Sequence, residues 1–292
     1  MLGRHDVGLL YNVVCSQRVN HRSENAMSTL DQLNGKDRLI VALDVPAVDE
    51  ALRAVELLSN VNFFKVGLQL FMTGGMPTLL QALSEKQVFV DLKVPGDISN
   101  TIAAVVDMCV GYHVTFLTVS ESMPPPAIRV AKSAREAKQS HNPRLLTVPF
   151  LSSLDAHDLA AVAIGESDLE TYVLNRARSA LNAGCDGIVA SGEAIGWCRL
   201  AFPHPTIIVS PGIRPAGASV DDHKRCTTPA QAIRLGADYV VVGRPILKDP
   251  HPRDAADRII HEIDSALDAG GATFASGMDA SSVGMYAQPP SE

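Results

Sequence analysis

The sequence predicts an α/β protein built as a single (β/α)8 TIM barrel with flexible N- and C-terminal extensions. Eight short β-branched runs alternate with segments of helical apolar spacing, charged residues gather where those runs end, and aperiodic polar stretches flank the whole. Strict alternation of strand and helix implies a parallel sheet with right-handed crossovers. Eight such units between residues 37 and 269 fit a closed barrel better than an open doubly wound sheet.

Residues 1–36 mix polar, charged and isolated apolar side chains without a period and read as a flexible extension, with Met27 as an alternative start. Early Arg4, His5 and Asp6 with no long apolar core do not make a signal peptide. The expected strands are 39–43, 62–66, 88–92, 114–119, 145–150, 187–190, 206–209 and 239–242. Helical spacing occupies 48–58, 101–109, 172–182 and 229–235, with Gly184 and Gly236 at helix ends and Pro124-Pro125-Pro126 entering a helix after the fourth strand. From residue 270 the chain turns to Gly, Ser, Ala and Pro and reads as a second flexible tail.

A net charge of −7 over 292 residues leaves no basic footprint, so nucleic acid is not an expected partner and an anion must be gathered locally. No apolar run has the length of a membrane span. Cys15, Cys109, Cys185, Cys198 and Cys226 are widely spaced, which argues against a disulfide framework or a zinc site and fits a reducing cytoplasm. Trp197 reads as packing, and His141, His157 and His204 as surface or loop histidines.

Polar residues mark the strand ends: Asp44 after the first, Lys65 at the second, Asp91 and Lys93 at the third, Ser152 past the fifth, Arg214 past the seventh, and Gly243 and Arg244 past the eighth. In a barrel these share the C-terminal rim, where active sites are built. Asp91 and Lys93 project from one side of their strand while Leu92 points to the other. Taken alone, that pair reads either as a structural ion pair or as a tuned proton donor. The whole constellation favours function, because a structural explanation needs a separate partner for each group. The loops Ser210-Pro211-Gly212-Ile213-Arg214 and Val242-Gly243-Arg244 combine glycine with arginine, the chemistry of phosphate binding, and residues 215–228 have the composition of a lid.

Val41-Ala42-Leu43-Asp44, Phe64-Lys65-Val66-Gly67, Asp91-Leu92-Lys93 with Asp97-Ile98-Ser99-Asn100-Thr101, Pro211-Gly212-Ile213-Arg214-Pro215, Thr228-Pro229-Ala230-Gln231-Ala232 and Val242-Gly243-Arg244 fall in one order. In that order they resemble the orotidine 5'-monophosphate (OMP) decarboxylase family over residues 38–249. The resemblance implies conversion of OMP to UMP and CO2 without metal or organic cofactor, by electrostatic stabilisation of a C6 carbanion and protonation by Lys93. It implies a homodimer in which Lys65, Asp91, Lys93 and Asp97 form an alternating array, with Asp97 and Thr101 supplied by the neighbouring subunit. It further implies that Asp44 and Lys65 contact ribose, Ser152 the pyrimidine edge, and Arg214, Gly243, Arg244 and the lid residue His223 the phosphate. This chain departs from the family pattern in three places. Three residues rather than two separate Lys93 from Asp97, and a bulge at Gly96 is expected to absorb the addition. Thr118-Val119-Ser120 stands where a histidine is usual, and His223 stands where a glutamine is usual. Two rivals remain open: a magnesium-dependent sugar-phosphate decarboxylase or aldolase of the same barrel group, and a non-catalytic nucleotide-binding barrel. A redox or metal role for Cys226 with His223 lacks ligand spacing.

Overall fold

In the computed structural model, eight parallel strands close on themselves in sequence order. It describes residues 30, 32–95, 101–120, 122–153, 168–215 and 226–270. The strands are β1 Leu39–Ala42, β2 Phe63–Gly67, β3 Gln87–Val94, β4 Phe116–Val119, β5 Arg144–Thr147, β6 Gly187–Val189, β7 Ile207–Ser210 and β8 Tyr239–Val242, and β1 pairs with β8 to complete the barrel. Between them run α1 Gly35–Arg38, α2 Val48–Leu57, α3 Leu68–Met72, α4 Met76–Ala82, α5 Thr101–Gly111, α6 Pro125–Ala137, α7 Leu169–Ala183, α8 Ala194–Ala201, α9 Pro229–Arg234, α10 Arg244–Leu247 and α11 Pro252–Gly270.

Alternation along the strands builds two cores. Ile40, Phe63, Phe89, Phe116, Leu146, Ile207 and Tyr239 point inward and fill the barrel, with the Phe116 ring 5.2 Å from both Phe63 and Tyr239. Val41, Phe64, Val90, Leu117, Leu145, Ile208 and Val240 point outward against the helices. A packed interior of this kind leaves only the rims available for binding.

Every expected strand is present, and three of the strand ends move by two or more residues. Strand β5 stops at Thr147 rather than residue 150, because Pro149 has no N–H to continue the ladder. Strand β4 begins at Phe116 rather than residue 114, since the Val114 N–H is taken by the Cys109 carbonyl at the end of α5. Strand β3 continues to Val94, which pairs with Val119.

Some of the segment expected as extension joins the barrel. Leu30 and Leu33 pack against the inner core at its base, Asn34 and Asp37 form a reciprocal cap on α1, and the Gly35 N–H donates to Asp264 of α11 at 2.6 Å. Two leucines three residues apart supply apolar surface to cover the open N-terminal end of the barrel, which the polarity of the segment concealed. Among the described residues, no helix is long and apolar enough to cross a membrane.

Candidate active site

The alternation that buries Phe63 and Phe89 delivers Lys65 and Asp91 two residues later to the C-terminal rim. Lys65 Nζ donates to Asp44 Oδ1 at 2.9 Å and lies 3.5 Å from Asp91 Oδ2. Lys93 Nζ donates to both Asp91 oxygens, at 3.0 and 3.1 Å. The result is a chain of alternating charge, Asp44–Lys65–Asp91–Lys93. Burial works to raise the Asp91 carboxyl, but Lys65 and Lys93 outweigh it and hold the group below the usual carboxylate range. Burial likewise works to lower Lys65, but Asp91 and Asp44 outweigh it and hold the ammonium above the usual lysine value. Both inner groups are therefore ionised at neutral pH, while the Lys93 side chain, 40% exposed, is the cationic end open to a ligand.

Asp91 and Lys93 stand where two hollows meet. A cleft of about 450 Å³ runs past Asp44, Lys65 and Leu68, and a recess of about 70 Å³ is lined by Phe150, Ser152, Ser191 and Pro211. Acid, base and cation thus face one space large enough for a small ligand.

The loops after β7 and β8 lie beside it. Gly212 adopts φ +74°, a conformation that favours glycine, and lets the chain turn so that Ile213 bridges to Thr227. The Arg214 N–H donates to the Thr227 carbonyl at 2.9 Å, and its buried guanidinium donates to the Ile213 carbonyl at 2.9 Å. The two ends of the expected lid are thereby pinned together. Gly243 precedes the short helix α10 opened by Arg244, and a Cβ built on Gly243 would lie 3.6 Å from Asp44 Oδ2, so the β8 loop adjoins the acidic end of the charge chain.

The structure brings Asp44, Lys65, Asp91 and Lys93 into one cluster, puts Ser152 in the adjoining recess, and sets Arg214, Gly243 and Arg244 on the two adjacent loops. Thr101 opens α5. Asp97, His223 and the bulge expected at Gly96 lie outside the described residues. The irregularity that is described comes earlier: β3 and β4 pair at Val90↔Leu117 and next at Val94↔Val119, and Lys93 has φ +47°.

Two hydroxyls at the site are not among the site residues expected from the sequence. Thr118, fully buried, contacts both Asp91 and the Lys93 main chain. Ser191, 2% exposed, lines the recess with an Oγ that has no hydrogen-bond partner among the described residues. The available signal for each was its place at a strand end, which neutral residues do not advertise.

Fold and site together define a (β/α)8-barrel protein whose C-terminal rim carries a Lys–Asp–Lys cluster beside two glycine–arginine loops. A family profile described as orotidine 5'-phosphate decarboxylase / HUMPS matches residues 37–259, and the chain belongs to that family. An orotidine 5'-phosphate decarboxylase of Rhodopseudomonas palustris (strain HaA2) is 43% identical over 235 residues, covering 79% of this chain and 96% of the relative. One from Nostoc sp. (strain PCC 7120) is 38% identical over 237 residues, covering 79% of this chain and 99% of the relative. The crystal structure of orotidine 5'-phosphate decarboxylase from Lactobacillus acidophilus superposes with a TM-score of 0.66 at 28% identity, covering 77% of this chain and 98% of that one.

Proposed function

We propose that this chain decarboxylates OMP to UMP and CO2, the carboxy-lyase step of pyrimidine nucleotide synthesis. The observation that carries the reading is the Lys65–Asp91–Lys93 cluster at the rim, in a chain aligned to relatives of that name over nearly their whole length. The bond from C6 to the carboxyl carbon breaks, CO2 departs, and the electron pair stays on C6, where the ring cannot spread it. The Lys93 ammonium neutralises that charge and gives C6 a proton, while Asp91 holds the ammonium in place. Lys65 and Asp44 bind the ribose hydroxyls, and Ser152 the pyrimidine edge. Arg214, Gly243 and Arg244, with His223 from the lid, grip the phosphate, so that binding energy remote from C6 orients the reacting carbon. The reaction needs no metal or organic cofactor.

Asp97 and Thr101 complete the site of a neighbouring subunit in a homodimer. Support for a partner comes from α3, where Leu68 and Met72 are 53% and 74% exposed and Leu68 lines the cleft, an apolar surface beside the site. The protein works in the cytoplasm, with no nucleic-acid or membrane partner. The test is loss of OMP absorbance with purified protein in excess EDTA, run beside phosphate-free orotidine. The expected result is full activity on OMP and far weaker use of orotidine. Turnover only of a sugar phosphate, or only with added magnesium, overturns the reading, and tight UMP binding without turnover assigns a binding protein instead.

A further inference from the structure

Between Val90↔Leu117 and Val94↔Val119, three residues of β3, Asp91, Leu92 and Lys93, stand opposite Thr118 alone. Along β3 alternate residues bond to alternate neighbours, the Gln87 N–H to the Asn62 carbonyl at the start of β2 and the Val88 and Val94 carbonyls to the β4 side, so a regular ladder would turn the Lys93 N–H toward β2. Instead it donates to Thr118 Oγ1 at 2.9 Å, and the same hydroxyl donates to Asp91 Oδ1 at 2.9 Å. Lys93 meanwhile holds φ +47°, a conformation a lysine adopts only where its surroundings enforce it. A hydroxyl has one proton and two lone pairs, so a single atom serves both bonds, and full burial leaves no water to replace it.

We infer that Thr118 is a positioning residue for the acid–base pair: its hydroxyl ties the Lys93 main chain to the Asp91 carboxylate and so fixes where the Lys93 ammonium stands. This rests on the reading of Lys93 as proton donor. Asp91 Oδ1 is anchored by Thr118, Oδ2 faces Lys65 at 3.5 Å, and Lys93 Nζ touches both oxygens. Without the hydroxyl the carboxylate keeps Lys65 and Lys93 but loses its anchor on β4, and the Lys93 backbone loses the acceptor that balances its turn. The ammonium would then sample positions away from C6, which slows the chemical step more than it weakens substrate binding. Thr118 also helps keep Asp91 ionised, alongside Lys65 and Lys93.

The test compares wild type, Thr118→Ser and Thr118→Val on OMP. Serine keeps both bonds and is expected within about threefold of wild type in kcat. Valine keeps the shape but loses a bond to a charged group, and kcat is expected to fall about ten- to a hundredfold with KM within about threefold. The acid limb of the valine kcat–pH profile moves upward, because Asp91 has lost a donor that favours its charged form while Lys65 and Lys93 remain. A valine variant with wild-type kcat and acid limb, a loss confined to KM, or a serine variant as impaired as valine overturns the proposal. If circular dichroism shows valine unfolded, Thr118→Ala against Thr118→Ser reads the same difference. A wild-type chain inert toward OMP would overturn the functional reading instead. The pH dependence of thermal unfolding then decides the Thr118 linkage, which predicts Asp91 protonating at higher pH in the valine variant and is refuted by coincident curves.

Discussion

Asp91 lies between two ammonium groups, and its ionisation makes it possible for Lys65 to stay charged inside the barrel. Because its folded pKa is lowered, Asp91 contributes stability at pH values above the ordinary carboxylate pKa and loses it as pH falls through the lowered value. Lys65, with its pKa raised, contributes below the ordinary lysine value of 10.5 and loses that contribution as pH rises through the higher one. Asp91→Asn leaves the burial penalty on Lys65 and removes one of its two counter-charges. The Lys65 contribution is therefore smaller in this variant, and its unfolding midpoint is expected to fall less than that of wild type as pH rises above 10.5; parallel alkaline limbs by calorimetry would show that Asp91 does not hold the Lys65 charge. Residues of this kind were legible in the sequence because ionisable groups at the ends of apolar runs are unusual. Thr118 and Ser191 were not, since a hydroxyl at a strand end looks like ordinary strand composition until register shows what it touches. Nor was the backbone turn at Lys93, because lysine carries none of the glycine or asparagine preference that announces positive φ.

Two pairs of elements carry the same clamp. Asp186, just before β6, accepts the Leu145 N–H of β5 at 2.8 Å and pairs with Arg135 of α6 at 2.5 Å. Asp238, just before β8, accepts the Ile208 N–H of β7 at 2.7 Å and pairs with Arg199 of α8 at 2.7 Å. Each carboxylate therefore ties a strand to its neighbour and to the helix that precedes that neighbour. The Asp238 side chain is 4% exposed and that of Asp186 is 23%, so the second clamp has less water to replace a lost partner. Asp238→Ala is expected to cost about 3–5 kcal/mol, as removal of one member of a buried ion pair does, and Asp186→Ala less. Denaturant midpoints giving the reverse order would mean that burial does not set the strength of these clamps. The repeat is visible in sequence as Gly184-Cys185-Asp186-Gly187 and Gly236-Ala237-Asp238-Tyr239, yet its meaning depends on arginines more than thirty residues upstream. Strands and helices were legible because periods of two and 3.6 alternate eight times. The end of β5 moved because a proline interrupted an otherwise apolar run, and the packing of Leu30 and Leu33 on the inner core was hidden by the polar residues around them.

The closed barrel gathers on one rim residues spread from Asp44 to Arg244, and the proposed dimer adds Asp97 from a second chain. Mixing inactive Lys93→Ala protein with inactive Asp97→Ala protein is expected to restore up to about one quarter of wild-type activity, because half the dimers are hybrids with one complete site in two. Hybrids verified by mass that stay inactive would mean each chain builds its site alone. Proton delivery to C6 by Lys93 is measured by single-turnover OMP decarboxylation in EDTA with wild type and Lys93→Ala, alongside calorimetric UMP binding. The prediction is turnover by wild type, loss of turnover in Lys93→Ala, and UMP affinity within about tenfold between the two, since the lost group serves the transition state more than the product. Near-normal turnover by Lys93→Ala would contradict it.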